Sequence, residues 1–120
     1  MKTNDFQIAP NFNLTEVQSP DTGEVKVSPQ LMGMLQHLRD KLGSPLIITS
    51  GYRTPEHNRK SGGAKDSYHL RGLAADVRSN HRSLTTIQRH AYAVGFGAAV
   101  IYSKKGFIHL DLGKRRTWKV

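Results

Sequence analysis

Apolar positions fall into helical and strand periods along residues 28–112, separated by turn signals. Leu31, Met34, Leu35, Leu38 and Leu42 recur near 3.6-residue spacing, which predicts a helix. Ser28 is placed to cap it, Pro29 suits its first position, and Gly43 stops it. Residues 46–49 form an apolar run of strand length. Thr54-Pro55 predicts a second helix start, ended by Ser61-Gly62-Gly63. Residues 72–77 read as a strand, because Leu73, Ala75 and Val77 alternate against Ala74 and Asp76. Leu84, Ile87, Ala91 and Val94 predict a helix over 83–94, closed by Gly95. Residues 98–102 and 107–112 read as two more strands, joined by the turn Ser103-Lys104-Lys105-Gly106. The methionines and Phe96 read as core. Residues 1–27 predict only an irregular polar lead-in, with turn signals at Ser19-Pro20-Asp21 and Thr22-Gly23.

Helices and strands that do not alternate regularly predict an α+β fold with a mainly antiparallel sheet flanked by helices. A chain of 120 residues suits one domain, 1–120, and folding would bury roughly two-thirds of the unfolded surface. With 37% apolar and 22% charged residues, wholesale disorder is excluded. No run approaches ~18 consecutive apolar residues, so no membrane span is predicted. The opening Met1-Lys2-Thr3-Asn4-Asp5-Phe6 has neither the apolar core nor the cleavage site of a secretory signal, so the expected place of synthesis is the cytoplasm. The absence of cysteine excludes disulfides and thiolate metal sites and leaves any metal to His and carboxylate ligands.

Charge divides the chain. Residues 1–60 hold seven basic and six acidic side chains, whereas residues 61–120 hold eleven basic ones against Asp66, Asp76 and Asp111. The formal charge of +9 and pI near 10.2 raise nucleic-acid binding as a function, with Trp118 in its basic surroundings as a contact. No helix-turn-helix and no aromatic strand platform accompanies that charge, so no specific nucleic-acid partner is expected. Trp118 reads either as an anchor against the domain or as part of a basic recognition strip. Nothing in the sequence sets an oligomeric state.

Two of the three acids in the basic half stand in apolar strands, where Asp is disfavoured. His69 and Asp76 lie seven apart, bridged by a glycine and small residues. With His69 just before the strand and Asp76 on it, both side chains can turn to one point. His109 is the natural third ligand. The two-residue period puts it on one face with Asp111, while Ile108, Leu110 and Leu112 face the core. Two His and one carboxylate leave an open fourth position for water, as in a catalytic rather than a structural zinc site. Each residue alone also has a plainer reading: a satisfied polar histidine, or a turn or capping aspartate. Spacing alone leaves both readings standing.

The segment Ser67-x-His69-x-x-Gly72-x-Ala74-x-Asp76 resembles the S-x-H-x-x-G-x-A-x-D signature of the zinc D-alanyl-D-alanine carboxypeptidase superfamily, peptidoglycan peptidases that share a fold with the hedgehog signalling domain. Ser50-Gly51-Tyr52-Arg53 is similar to the family's S-G-Y-R segment, Gly62-Gly63-Ala64 to its glycine-rich approach, and Phe107-Ile108-His109-Leu110-Asp111 to its F-[IV]-H-x-D strand. The resemblance covers about residue 12 to the C-terminus. It implies a Zn2+ cofactor held by His69, Asp76 and His109, with Arg53 contacting substrate and steadying charge on the scissile carbonyl. Many relatives place an acid three residues before the last His, where this chain has Gly106. Asp111 then stands as general base, or else as an acceptor orienting a His ligand. His57 reads as a helix-surface residue or a further proton-transfer group, and Asp66 as a loop or capping residue.

The implied activity is hydrolysis of peptidoglycan peptides, either at a terminal D-Ala as a carboxypeptidase or at a cross-link as an endopeptidase. A small basic wall peptidase with no evident signal suits a phage lysis enzyme or virion component, acting on the wall after release. The alternative is a catalytically weak metal-binding module that holds cell wall or a protein partner.

Overall fold

The computed structural model describes residues 4–120. The lead-in differs from its expectation. It forms a short hairpin of β1 (Gln7–Ala9) and β2 (Phe12–Asn13), then a 3-10 turn over Leu14–Val17. Strands of two and three residues are too short to show a period. The signal that was present is a capping box: Asn13 Oδ1 accepts from the Thr15 amide, and the Glu16 carboxylate accepts from the Asn13 amide at 2.7 Å. Phe12, Leu14 and Val17 are buried in the core, so this segment is part of the packed body. Ser19 and Asp21 tie it to the loop at Thr54, since Ser19 Oγ accepts the Thr54 amide and Asp21 accepts the Thr54 hydroxyl at 2.7 Å.

Helix α1 spans Pro29–Leu42, as the periodicity predicts. The Ser28 hydroxyl accepts from the amides of Gln30 and Leu31, and left-handed Gly43 donates back to Arg39 and Asp40. Its buried stripe is Leu31, Met32, Leu35, Leu38 and Leu42, and each such side chain contributes roughly 1.5–3 kcal/mol of transfer free energy. Strand β3 (Ile47–Ser50) leads to the short helix α2 (Pro55–Lys60), capped by Thr54, and then to a 3-10 turn at Tyr68–Arg71. Strand β4 (Ala74–Arg78), helix α3 (Leu84–Val94) and strands β5 (Ala98–Tyr102) and β6 (Phe107–Asp111) complete the chain.

Four strands make one antiparallel sheet in the order β3-β4-β6-β5. One face carries Ala75, Val77, Ala99, Ile108 and Leu110 into the main core, shared with the leucines of α1 and with Ile87 and Ala91 of α3. Leu112 packs at the margin of that cluster. The opposite face carries Ala74, Asp76, His109 and Asp111, set by the two-residue strand period. The architecture is the predicted α+β fold with a mainly antiparallel sheet. Among the described residues no helix is long and apolar enough to cross a membrane.

Candidate metal centre

Local chain geometry delivers His69. Ser67 caps the 3-10 turn by accepting the His69 amide, and Gly72 ends it at φ 70°. A Cβ at Gly72 would run into the Lys26 carbonyl, so backbone approach as well as conformation requires glycine there. This turn is why β4 begins at Ala74 rather than at Gly72. His69 is buried, and its Nδ1 lies 2.7 Å from the Gly51 carbonyl, which has no proton to give. Nδ1–H is therefore the donor, and in the neutral ring Nε2 is left as a lone pair. That Nε2 stands 3.2 Å from Asp76 Oδ1.

The β4–β6 register sets Asp76 directly opposite His109. His109 Nδ1 lies 3.0 Å from the same Asp76 Oδ1, while its Nε2 lies 2.8 Å from Asp111 Oδ2. Donation to Asp111 leaves Nδ1 as the lone pair of a neutral ring. The two imidazoles thus aim acceptors at a carboxylate oxygen, with their donors used on the outside. The ligand atoms of His69, Asp76 and His109 all lie within 4.8 Å of one another. Three converging acceptors at a buried point repel unless a cation sits among them, and two neutral imidazoles with one carboxylate are a donor set that suits zinc. The residues fit the metal.

Without a metal a proton can take the cation's place: an inward ring nitrogen that carries it donates to Asp76 Oδ1 instead of facing it with a lone pair. Burial pushes the Asp76 carboxyl up, but hydrogen bonds from His109 and His69 outweigh it and hold it at about 2. Burial also opposes ionisation of Asp111, yet His109, Arg116 and the Gly113 amide hold it at about 2. For His109, burial favours the neutral ring, and the hydrogen bonds to Asp111 and Asp76 more than reverse that, raising it above its ordinary value.

Arg53 reaches the centre from the loop after β3. Its Nη2 donates to Asp76 Oδ2 at 3.1 Å, while Nε is held by Ser50 Oγ and Nη1 by Asn58 Oδ1. Asn58, buried on α2, also donates to the Ala64 carbonyl and so fixes the glycine-rich loop. Asp111 is fully buried. Oδ1 accepts from the Gly113 amide and from Arg116 Nη1, and Oδ2 from His109 Nε2 and Arg116 Nη2. These residues surround a cleft of about 410 Å³ whose lining also includes Asp66, Tyr68, Tyr102, Lys105 and Trp118. His57 sits outside that lining and meets Ser61 at 3.4 Å.

Sequence reasoning passed over two contributors. Asn58 had no pattern of its own, standing five residues after Arg53 in the helix that follows. Arg116 read only as part of a basic run, although a buried Asp111 calls for a cationic partner.

A family profile described as Peptidase M15 matches residues 6–111. The chain belongs to the peptidase M15 family. It is 33% identical to the peptidoglycan L,D-endopeptidase MepK of Escherichia coli (strain K12) over 77% of this chain and 54% of that protein. The same figures hold for MepK of Shigella flexneri. A probable peptidoglycan L,D-endopeptidase MepK of Haemophilus influenzae is 30% identical over 96% of this chain and 70% of that protein. The chain thus spans about half the length of the Escherichia coli and Shigella relatives.

Proposed function

We propose that this chain is a zinc-dependent peptidase that hydrolyses peptide bonds of bacterial peptidoglycan, and that it acts as an endopeptidase. The observation that carries the reading is the convergence of His69 Nε2, Asp76 Oδ1 and His109 Nδ1, three acceptors turned inward with their outer donors satisfied. The relatives are named as peptidoglycan L,D-endopeptidases, which favours an internal bond over a terminal D-Ala.

When bound, zinc supplies Lewis acidity, polarising a carbonyl and making water a competent nucleophile near neutral pH. His69, Asp76 and His109 would hold it. Arg53, already oriented by Ser50 and Asn58, offers N–H groups to the oxygen on which negative charge develops. Asp111 is assigned the orienting role. It fixes His109 through Nε2 while Arg116 and the Gly113 amide occupy its other lone pairs, which favours positioning over proton uptake. Basic side chains along the cleft, Lys105 among them, attract an anionic substrate.

Two observations favour a second reading, a metal-binding module with little catalysis. Position 106 is glycine, and Asp111 is fully engaged by its partners. Mass spectrometry of peptidoglycan fragments separates the two. Zinc-loaded protein is expected to create new peptide termini at one bond type, and chelated protein none. Zinc binding with no new termini would favour the second reading.

A further inference from the structure

After β6 the chain turns back across the centre, and the reversal depends on a close backbone crossing. The Gly97 amide donates to the Asp111 carbonyl and the Arg116 amide to the Gly97 carbonyl, each at 2.9 Å. A Cβ at Gly97 would run into the Gly113 carbonyl. This crossing, with the paired Arg116–Asp111 bonds at 2.8 Å, pins the tail as far as Arg116. Beyond it Trp118 is held by its own contacts.

That place is the cleft. The indole Nε1 donates to the Tyr102 hydroxyl at 3.1 Å, and its ring centre lies 5.5 Å from that of His109. Tyr102 stacks on Phe107 at 4.8 Å, and the Arg116 guanidinium lies 5.2 Å from the indole centre. The indole remains 37% exposed and lines the cleft beside a ligand histidine. Its one polar atom is satisfied by the protein, so what it offers to a ligand is apolar surface. Lys105, exposed in the β5–β6 turn, lines the same cleft.

We propose that Trp118, backed by Tyr102 and Phe107, is a substrate-binding wall. It takes the aliphatic stem of a peptide residue flanking the scissile bond, and Lys105 receives a carboxylate on that residue. The proposal rests on the peptidase reading of the same cleft.

Trp118 is the sole tryptophan of the chain, so its emission reports this wall directly. Stopped-flow mixing of the zinc-loaded full chain with purified stem peptides is expected to give an emission change that saturates with peptide concentration. In steady-state cleavage, Trp118→Ala is expected to raise KM about tenfold with kcat little changed, and Trp118→Phe to restore most of the loss. Lys105→Gln is expected to raise KM about threefold at low salt for peptides with free carboxylates, and not for amidated ones. Cleavage with no emission change, or Trp118→Ala lowering kcat at constant KM, would overturn the wall and leave the peptidase reading intact. A saturable emission change without cleavage would support the wall and overturn the peptidase reading.

Discussion

The two faces of strands β4 and β6 are built from alternate residues of the same ten positions, yet they obey opposite rules. On one face Ala75, Val77, Ile108 and Leu110 are fully buried against helices, and their contribution is transfer of apolar surface. On the other, Asp76, His109 and Asp111 are nearly as buried, but they are polar and leave acceptors aimed at each other. The first face stabilises the fold. The second is held together only when a proton or a metal cation sits among those acceptors, with Arg53 and Arg116 offsetting the carboxylates. Burial thus does not by itself mark core, and the sign of the polar bookkeeping separates the two faces.

Substitution should break the faces apart. His69→Ala is expected to lower cleavage about 1,000-fold and abolish stoichiometric zinc binding, with the metal-free melting temperature little reduced. Leu110→Ala, one residue along from His109, should instead cost about 2–5 kcal/mol of stability while the folded fraction keeps its kcat. Calorimetry paired with peptide-release assays checks both. Next in size, Arg53→Lys should reduce kcat about 100-fold with a much smaller change in KM, because the ammonium cannot reproduce the guanidinium fork. Arg116→Gln should weaken zinc binding about tenfold by loosening Asp111 and hence His109, as read by competition with a chromogenic chelator.

Acidity sharpens the comparison with the smallest effects. Asp76 and Asp111, lowered to about 2, contribute stability present above about pH 4 and lost as pH falls toward 2. His109 is raised, so its contribution in the metal-free chain is complete below about pH 6.5 and is lost as pH rises through its folded value. Zinc requires the neutral ring and reverses that slope. Between pH 6 and 8 the metal-free melting temperature should therefore fall, while the zinc-loaded one should rise at fixed free zinc.

Helix α1, helix α3 and the β5–β6 hairpin were legible because caps and periods agree over many residues. The hairpin and 3-10 turn of residues 7–17 were not, since strands of two or three residues have no measurable period and only the Asn13–Glu16 box betrays them. The ligand faces were readable from alternation, with Asp76 and His109 each placed on a strand. Their register was not, because pairing across 33 residues is set by the whole sheet. Asn58 and Arg116 act through contacts that no local spacing encodes, Arg116 reaching Asp111 only because the tail reverses at the Gly97–Gly113 crossing.

Metal dependence of cleavage follows from the three inward acceptors of His69, Asp76 and His109. The most direct test counts new peptide termini released from purified peptidoglycan by chelated protein as zinc is returned. No cleavage is expected without metal, then a rise that levels off at one zinc per chain. Undiminished cleavage by the chelated protein would contradict it.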